Sequence, residues 1–306
     1  MKFLLPRVSL LVALWGLAGC DLPPEEEPGV ASPVVAPEAA APPEPVAGID
    51  LTPAVYIPTG VAETLGMEYG SGQALDLFVP EGVPQAPLVL MIHGGGWRGG
   101  DRSAFAGWCR ELALAGYACA TMDYRLAPEH PYPAAVEDVA AAVRWLRGVA
   151  VEMELDPDRL VVAGSSAGGH LALMAALDEE LMLAGGVSLF GPTDLSVLRE
   201  GPAVAAFLAG ADPTGASPIS LVSANDPPIL LMHGTADLVV PISQSEALRD
   251  ALEAVGVVVR LSVYAGAGHG FHRQGAYGER ALDELLAFLG EVLGDPTIAP
   301  FQSPGP

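Results

Sequence analysis

Residues 161–170 read VVAGSSAGGH, in which two adjacent serines follow a run of β-branched residues and precede small residues that begin a helical pattern. A sharp turn from a strand into a helix leaves no room for a Cβ two positions before or after the residue at its tip. Ser166 has Gly164 and Gly168 at those positions, whereas Ser165 would have alanine at both. The pattern therefore predicts that Ser166 lies exposed at the tip of the turn and is the candidate nucleophile.

Strand-like and helix-like segments alternate on both sides of this turn. Most strand-like segments are continuous apolar runs, which are typical of strands buried on both faces of a sheet. Between them apolar residues recur at helical spacing, and Ser243 and Glu246 have the spacing of a capping box at the start of one helix. This alternation predicts an α/β fold with a mainly parallel central sheet and helices on both faces. The predicted strands cover residues 74–79, 88–93, 118–123, 160–164, 186–190, 229–233 and 257–264.

The residues that follow each predicted strand are the candidates for function, since sites in open α/β sheets lie beyond the carboxyl ends of the strands. After the second predicted strand the chain reads HGGGW at residues 93–97. Successive glycines let backbone N–H groups turn towards a developing negative oxygen, and the amide after a nucleophile completes such an oxyanion hole. The predicted donors are Gly95, with Gly94 or Gly96, and Ala167.

The same glycines also fit a dinucleotide-binding pattern. Gly94, Gly96 and Gly99 follow a predicted strand with G-x-G-x-x-G spacing, and Asp123 ends the next strand, where a ribose-binding acid would lie. In that motif the third glycine belongs to the first turn of a helix, but the sequence WRGGD at residues 97–101 opposes helix formation. We therefore predict no cofactor, and no Cys or His spacing typical of a metal site occurs.

Three histidines follow Ser166 in the sequence and are candidates for its general base. His269 lies in GAGHGF, directly after the last predicted strand, where flanking glycines permit an exposed imidazole. We predict His269 as the base, with His272 as the alternative. His233 ends a predicted strand and is expected to shape the turn, and His93 is expected to hold the glycine loop by hydrogen bonding.

An acid must hold the base in the correct tautomer. Asp237 lies in HGTADLVVP, in the loop after the penultimate predicted strand, and is the predicted acid. Asp194, in GPTDL after the preceding strand, is the alternative, although a role as a turn or cap residue explains it better. The order serine, acid, histidine is that of the α/β-hydrolase triad.

The first twenty residues have the pattern of an export signal. Lys2 and Arg7 flank an apolar stretch that is too short to span a bilayer comfortably. The stretch ends in LAGC at residues 17–20, which resembles the bacterial lipobox, with Cys20 as the lipidated residue. Residues 1–20 are therefore predicted to be a lipoprotein signal peptide. The protein is expected to be an exported bacterial lipoprotein, anchored to a membrane on the periplasmic or cell-surface side.

Composition divides the rest of the chain into three parts. Residues 21–48 are rich in Pro, Ala and Glu and contain no basic residue, which predicts a disordered tether. Residues 49–296 contain all the predicted strands and form the predicted catalytic domain, followed by a tail at 297–306. The 306 residues are enough for one large domain of this kind.

Charge and cysteine content limit the possible partners. A formal net charge of −23 argues against nucleic acid, because no basic patch is available to replace phosphate counterions. Beyond the lipobox the chain has only Cys109 and Cys119, which could form a disulfide in an exported protein or remain as two buried thiols. The sequence does not decide the oligomeric state.

From about residue 55 to 293 the chain resembles the hormone-sensitive-lipase-like and BD-FAE-like carboxylesterases of the α/β-hydrolase superfamily. The resemblance implies the α/β-hydrolase fold and a catalytic triad of Ser166, Asp237 and His269. It rests on six stretches taken together: HGGGW, DYRLAPEHPYPAA, GSSAGGHLA, ASPISLVSANDPP, HGTADLVVP and GAGHGF.

The residue before the nucleophile separates the branches of this group. Many hormone-sensitive-lipase relatives have Asp there, whereas this chain has Ser165, which favours the BD-FAE-like branch with its feruloyl and acetyl-xylan esterases. The resemblance thus implies a serine esterase that hydrolyses short-acyl or aryl esters through an acyl-enzyme. A formamidase of the kynurenine formamidase type, which has an HGGxW motif, and a non-catalytic lipid-anchored binding protein are the alternatives.

Overall fold

The computed structural model describes residues 55–70, 72–198 and 201–297. The predicted signal peptide, the lipidation site Cys20 and the tether at 21–48 lie outside these ranges, as does nearly all of the predicted tail. Within the described residues no helix is both long enough and apolar enough to cross a bilayer.

Eight strands and six α-helices make up the described part of the chain. The strands are β1 (Val61–Glu68), β2 (Ala74–Pro80), β3 (Leu88–Ile92), β4 (Ala118–Met122), β5 (Leu160–Ser165), β6 (Gly185–Leu189), β7 (Ile229–Gly234) and β8 (Val259–Tyr264). The helices are α1 (Ala106–Leu114), α2 (Ala134–Glu152), α3 (Ala167–Ala176), α4 (Pro202–Leu208), α5 (Ser243–Ala254) and α6 (Gly275–Leu293).

All eight strands belong to one sheet, in the order β1-β2-β4-β3-β5-β6-β7-β8. Strand β2 is antiparallel to both β1 and β4, and the pairs from β4 to β8 are parallel. The predicted α/β fold with a mainly parallel sheet is confirmed. Because the parallel strands all end at one edge, the loops after β3, β5, β7 and β8 meet there.

Helices cover both faces of the sheet. Alternate residues of a strand face opposite sides, so in β3 Leu90 joins one apolar cluster while Val89 and Met91 join the other. Helices α2, α3 and α5 pack into the first cluster and α1 and α6 into the second. Fully buried strands explain why the sequence shows continuous apolar runs rather than alternation.

The seven predicted strands all occur, with ends that differ by at most two residues, but β1 was not predicted. Its residues are mostly exposed at the sheet edge, so it lacks an apolar run. A bulge between Thr64 and Met67 further interrupts the pattern, and the amide of Gly66 there donates to Oδ1 of Asp76 at 2.8 Å.

Two local features were left open or predicted wrongly. Cys109 of α1 and Cys119 of β4 form a disulfide, with their Cα atoms 5.0 Å apart. The prediction of a capping box at Ser243 is wrong, because Ile242 occupies the N-cap position and Ser243 is already the first residue of the helix. The start of α5 instead contacts the loop after β6, where Oε1 of Gln244 accepts the amide of Thr193 at 2.8 Å.

Candidate active site

Ser166 lies at the tip of the turn between β5 and α3, as the glycine spacing predicted. Its φ of 55° and ψ of −121° are a strained conformation for a residue with a side chain and cost about 1–3 kcal/mol. A Cβ on Gly168 would lie 2.1 Å from the carbonyl oxygen of Ile92, and one on Gly164 would lie 2.3 Å from that of Gly168. Both glycines are therefore required by close backbone contacts. Ser165 ends β5 and is buried.

His269 lies between Ser166 and Asp237 and forms hydrogen bonds with both. Its Nδ1 is 2.7 Å from Oδ2 of Asp237, and its Nε2 is 2.9 Å from Oγ of Ser166. A carboxylate can only accept, so Nδ1 carries the proton and Nε2 accepts from the serine hydroxyl. This arrangement leaves the hydroxyl oxygen poised to lose its proton to the imidazole.

The carboxylate of Asp237 is completely buried and is fixed by the loop that carries it. Its Oδ1 accepts the amides of Val239 and Val240, each at 2.9 Å. His233 lies behind it, where Nε2 donates to the carbonyl oxygen of Val240 at 2.9 Å and Nδ1 accepts from Ser245 at 2.7 Å. Burial lowers the pKa of His233, so this histidine is a neutral support for the turn, as predicted.

Neither of the two alternative residues forms a hydrogen bond with the triad, although His272 lines the same cavity as Ser166. Oδ1 of Asp194 accepts the amide of Ser196 at 2.9 Å, which is a turn within its own loop. His272 is buried against Phe190 and Trp108, and burial lowers its pKa to about 4. Within the described residues its Nδ1 has no hydrogen-bond partner.

The glycine loop after β3 lies directly against Ser166. Gly95 and Gly96 have φ of 125° and 62°, and a Cβ on Gly95 would lie 2.0 Å from the carbonyl oxygen of Gly99. A Cβ on Gly94 would come within 3.2 Å of the Cβ of Ser166. Only glycine at these positions lets the backbone approach the serine so closely.

Three backbone N–H groups beside Ser166 have no backbone acceptor in the described part of the chain. Among the described residues the amides of Gly95, Gly96 and Ala167 donate to no backbone acceptor. Ala167 is the first residue of α3, where amides lack intrahelical partners and the helix dipole favours negative charge. His93 holds the loop, since its Nδ1 donates to the carbonyl oxygen of Gly94 at 2.8 Å.

The dinucleotide-binding alternative requires a helix that begins at the third glycine. After Gly99 the chain instead forms a short 3₁₀ turn at Arg102–Phe105, and α1 begins only at Ala106. Asp123 binds the side chain of Arg102 and accepts its amide at 2.8 Å. In the parts of the chain that the structure describes, no group of three His, Cys, Asp or Glu residues is arranged to hold a metal.

Ser166 lines two cavities. One is a cleft of about 520 Å³ with mostly apolar walls, including Trp97, Leu198, Ala203 and Val240. We call it the α4 cleft, because residues of α4 form part of its wall.

The other cavity, of about 500 Å³, is lined by the glycine loop together with Phe190, His269 and Arg273. We call it the His269 cavity. It opens beside the imidazole, whereas His269 does not line the α4 cleft.

Some residues around the site were not predicted from the sequence. Phe190 follows β6 with φ of 44° and meets the ring of His269 edge-on, with the ring centroids 4.8 Å apart. Trp97 and His170 form a hydrogen bond near the glycine loop. The only sequence signal for Trp97 and His170 was their position inside the HGGGW and GSSAGGHLA stretches, and Phe190 was marked only as the end of a predicted strand, which says nothing about their contacts.

Comparisons with known proteins identify relatives that are esterases. Esterase LipC of Mycobacterium tuberculosis is 32% identical over 253 residues, which are 72% of this chain and 62% of LipC. The match therefore spans less than two thirds of LipC's own length. Ethyl acetate hydrolase of Pseudomonas putida is 32% identical over 234 residues, or 67% of this chain and 72% of that protein.

A solved structure leads to the same group of proteins. The truncated form of a carbohydrate esterase from gut microbiota matches with a TM-score of 0.69 and 25% identity, covering 78% of this chain and 98% of that one. The sequence profile of the BD-FAE family matches residues 75–252, more than half of the chain. The chain therefore belongs to the BD-FAE family and has the α/β-hydrolase fold of the esterases that it resembles.

Proposed function

We propose that this protein is a serine carboxylic-ester hydrolase that acts on short-acyl or aryl esters through an acyl-enzyme. The observation that carries the proposal is the continuous hydrogen-bonded series from Asp237 through His269 to Ser166. A serine hydroxyl is a weak nucleophile, and a base within hydrogen-bond distance, oriented by a third group, is what activates it. The reaction needs neither a metal nor a cofactor.

The first half of the reaction forms the acyl-enzyme. Oγ of Ser166 attacks the ester carbonyl carbon while its proton passes to Nε2 of His269, and the buried carboxylate of Asp237 stabilises the imidazolium. The tetrahedral intermediate then expels the alcohol oxygen, which takes the proton from Nε2. In the second half a water molecule gives its proton to Nε2 and attacks the acyl carbon, which releases the acid and restores Ser166.

The negative oxygen of each tetrahedral intermediate needs donors that are already in place. In this proposal the amides of Gly95, Gly96 and Ala167 supply them, because all three are free and lie around Ser166. The amide of Gly94, the other predicted loop donor, also has no backbone acceptor among the described residues, and its lack of a Cβ leaves room for the serine side chain.

The two cavities can be assigned from the direction of proton transfer. His269 must give its proton to the leaving oxygen, so the alcohol part of the ester lies on the side of the imidazole. That side is the His269 cavity, which leaves the α4 cleft for the acyl part. The apolar wall of the cleft favours an uncharged acyl group, and its volume of about 520 Å³ admits short aliphatic or aromatic chains.

The relatives support the same substrate class. The name of the Pseudomonas putida relative states that it hydrolyses ethyl acetate, an ester with a short acyl group. The structural neighbour from gut microbiota is called a carbohydrate esterase. The proposed substrate is therefore a small ester with a short or aromatic acyl group, and the open His269 cavity tolerates varied alcohols.

The cellular location is part of the proposal. An exported lipoprotein held at a membrane through Cys20 is supported by the signal and lipobox pattern in the sequence. The disulfide between Cys109 and Cys119 adds support, because disulfides persist mainly in oxidising compartments outside the cytosol.

Hydrolysis of a p-nitrophenyl ester series from acetate to decanoate tests the proposal. We expect turnover by the full-length protein in detergent, highest for short chains, and loss of nearly all turnover in Ser166→Ala. Ser165→Ala is the matched control, because Ser165 is adjacent but buried, and it should stay active. A folded protein with no turnover across the series, or an active Ser166→Ala, would refute the proposal.

A further inference from the structure

The proposed oxyanion hole is assembled from two separate parts of the chain. Gly95 and Gly96 belong to the loop after β3, whereas Ala167 begins α3, about seventy residues later. A donor stabilises a developing charge only if its distance from that oxygen is correct in the transition state. Something must therefore fix the loop relative to the helix.

One side-chain hydrogen bond joins these two parts. Trp97 directly follows Gly96, and its indole Nε1–H donates to Nδ1 of His170 at 3.3 Å. His170 lies on α3, one turn after Ala167. Each partner is thus within one to three residues of an oxyanion donor, and both side chains are buried.

The histidine is held in the one tautomer that can accept this bond. Its Nε2 is 2.8 Å from the carbonyl oxygen of Ala216, which cannot donate, so the proton is on Nε2 and Nδ1 is free to accept. Complete burial lowers the pKa of His170 to about 4, which keeps the ring neutral at ordinary pH. An imidazolium would lose the acceptor and repel the indole N–H.

Trp97 is also held through its backbone, which has a conformation that non-glycine residues rarely adopt. Its φ is 56°, and its carbonyl oxygen accepts the amide of Ala127 at 2.8 Å. The indole also stacks on Phe207 of α4, with the ring centroids 4.6 Å apart. The stacking and the hydrogen bond together hold the ring in the wall of the α4 cleft, directly after Gly96 in the chain.

We infer that the hydrogen bond from Trp97 to His170 sets the spacing between the two halves of the oxyanion hole, which makes His170 a positioning residue for ester hydrolysis. This inference rests on the proposed function. His170 lines neither cavity, so loss of its acceptor moves the donors while the lining of the α4 cleft stays the same. We therefore expect an effect on the transition state that exceeds the effect on ground-state binding, and kcat should fall more than KM rises.

Two variants break the bond in different ways. Trp97→Phe keeps an aromatic ring on Phe207 but removes the donor, and His170→Leu removes the acceptor. Loss of one oxyanion donor costs about 10²–10³ in kcat, so a displaced donor should cost about 10- to 100-fold in each variant. KM for p-nitrophenyl acetate should stay within about threefold. The double variant should be no worse than the poorer single one, because both remove the same bond.

A conservative variant and a matched control separate positioning from general packing. His170→Gln can accept from the indole through Oε1 and donate to Ala216 through Nε2, so it should recover most of the lost kcat. Tyr117→Phe removes another aromatic donor, the hydroxyl that donates to the carbonyl oxygen of Gly294, and Tyr117 lines neither cavity beside Ser166. Its kcat should match that of the unchanged protein.

Binding of a trifluoromethyl ketone gives a second readout, because its serine adduct places a negative oxygen in the hole. Its Ki should rise in Trp97→Phe by about the factor by which kcat falls. The inference is overturned if folded Trp97→Phe and His170→Leu keep full kcat, or if KM rises while kcat and Ki stay unchanged. Should one variant fail to fold, the other and His170→Gln still decide the matter. An inactive unchanged protein, or an active Ser166→Ala, would instead refute the proposed function itself.

Discussion

The carboxylate of Asp237 is closed to solvent, and its Oδ2 lies 2.7 Å from Nδ1 of His269. A buried charge is costly unless hydrogen bonds replace those it made with water. Here the amides of Val239 and Val240 and the imidazole of His269 supply these hydrogen bonds. The imidazole is therefore held with Nε2 directed at Ser166. Several consequences of this arrangement can be measured.

Asp237→Asn should reduce kcat by about 10⁴, because an amide in place of the carboxylate stabilises the wrong histidine tautomer. Kinetics with p-nitrophenyl acetate measures this loss. Asp194→Asn is the matched control, since among the described residues the carboxylate of Asp194 accepts only from Ser196 within its own turn, and it should keep nearly full activity. The opposite result, an active Asp237→Asn and an inactive Asp194→Asn, would move the acid to the other loop.

Replacement of the two histidines that follow β8, His269 and His272, should likewise affect turnover very differently. His269→Gln should lose nearly all turnover, whereas His272→Gln should keep at least about a third, because His272 makes no hydrogen bond to Ser166. Comparison of kcat values at neutral pH decides between them. If folded His272→Gln were as inactive as His269→Gln, the base would have been assigned wrongly.

A bulky residue in the α4 cleft should shorten the preferred acyl chain. Ala203 lines the cleft, where Ala203→Phe should lower kcat/KM for hexanoate at least about 10-fold while acetate changes little. Ala205→Phe, on the exposed side of the same helix, should leave the chain-length profile unchanged. If Ala203→Phe instead changed kcat/KM according to the alcohol group and not according to acyl length, the assignment of the two cavities would have to be reversed.

Buried histidines should make the protein less stable in mild acid. Burial lowers the pKa of His170 to about 4, so between about pH 6.5 and 4 the unfolded chain binds more protons than the folded protein. The free energy of unfolding should therefore fall as the pH is lowered through this window and level off below it. A pKa shift of this size in one histidine changes the free energy of unfolding by about 3 kcal/mol.

Urea unfolding at pH values across this window measures the effect. His170→Gln should show a smaller loss of stability between neutral and acidic pH, because it removes one of the groups that cannot protonate in the folded state. His130→Gln is the control, since His130 is exposed, and its pH dependence should equal that of the unchanged protein. Equal slopes for all three proteins would show that His170 is not neutral in the folded state.

Features fixed by local sterics or by burial could be predicted from the sequence. The strand-to-helix turn at Ser166 needs glycine at two positions, and buried parallel strands need apolar runs, so both leave direct marks in the sequence. Position at strand ends, together with the order of residues in the chain, was enough to select Asp237 and His269 as candidates from a few alternatives.

Features that depend on distant contacts could not be predicted. The bond between Trp97 and His170 joins residues 73 positions apart, and neither residue type signals a partner. Strand β1 is exposed at an edge and lacks an apolar pattern. The pairing of Cys109 with Cys119 depends on how α1 packs against β4, and the shape of the α4 cleft depends on where α4 lies.

Covalent labelling with a fluorophosphonate tests most directly whether Ser166 is the nucleophile. The protein would be treated with the probe, digested and examined by mass spectrometry, with Ser166→Ala and Ser165→Ala in parallel. We predict a phosphonyl group on Ser166 in the unchanged protein and in Ser165→Ala, and no labelled peptide in Ser166→Ala. Absence of label from the folded, unchanged protein, or a label on another residue, would contradict the proposed mechanism.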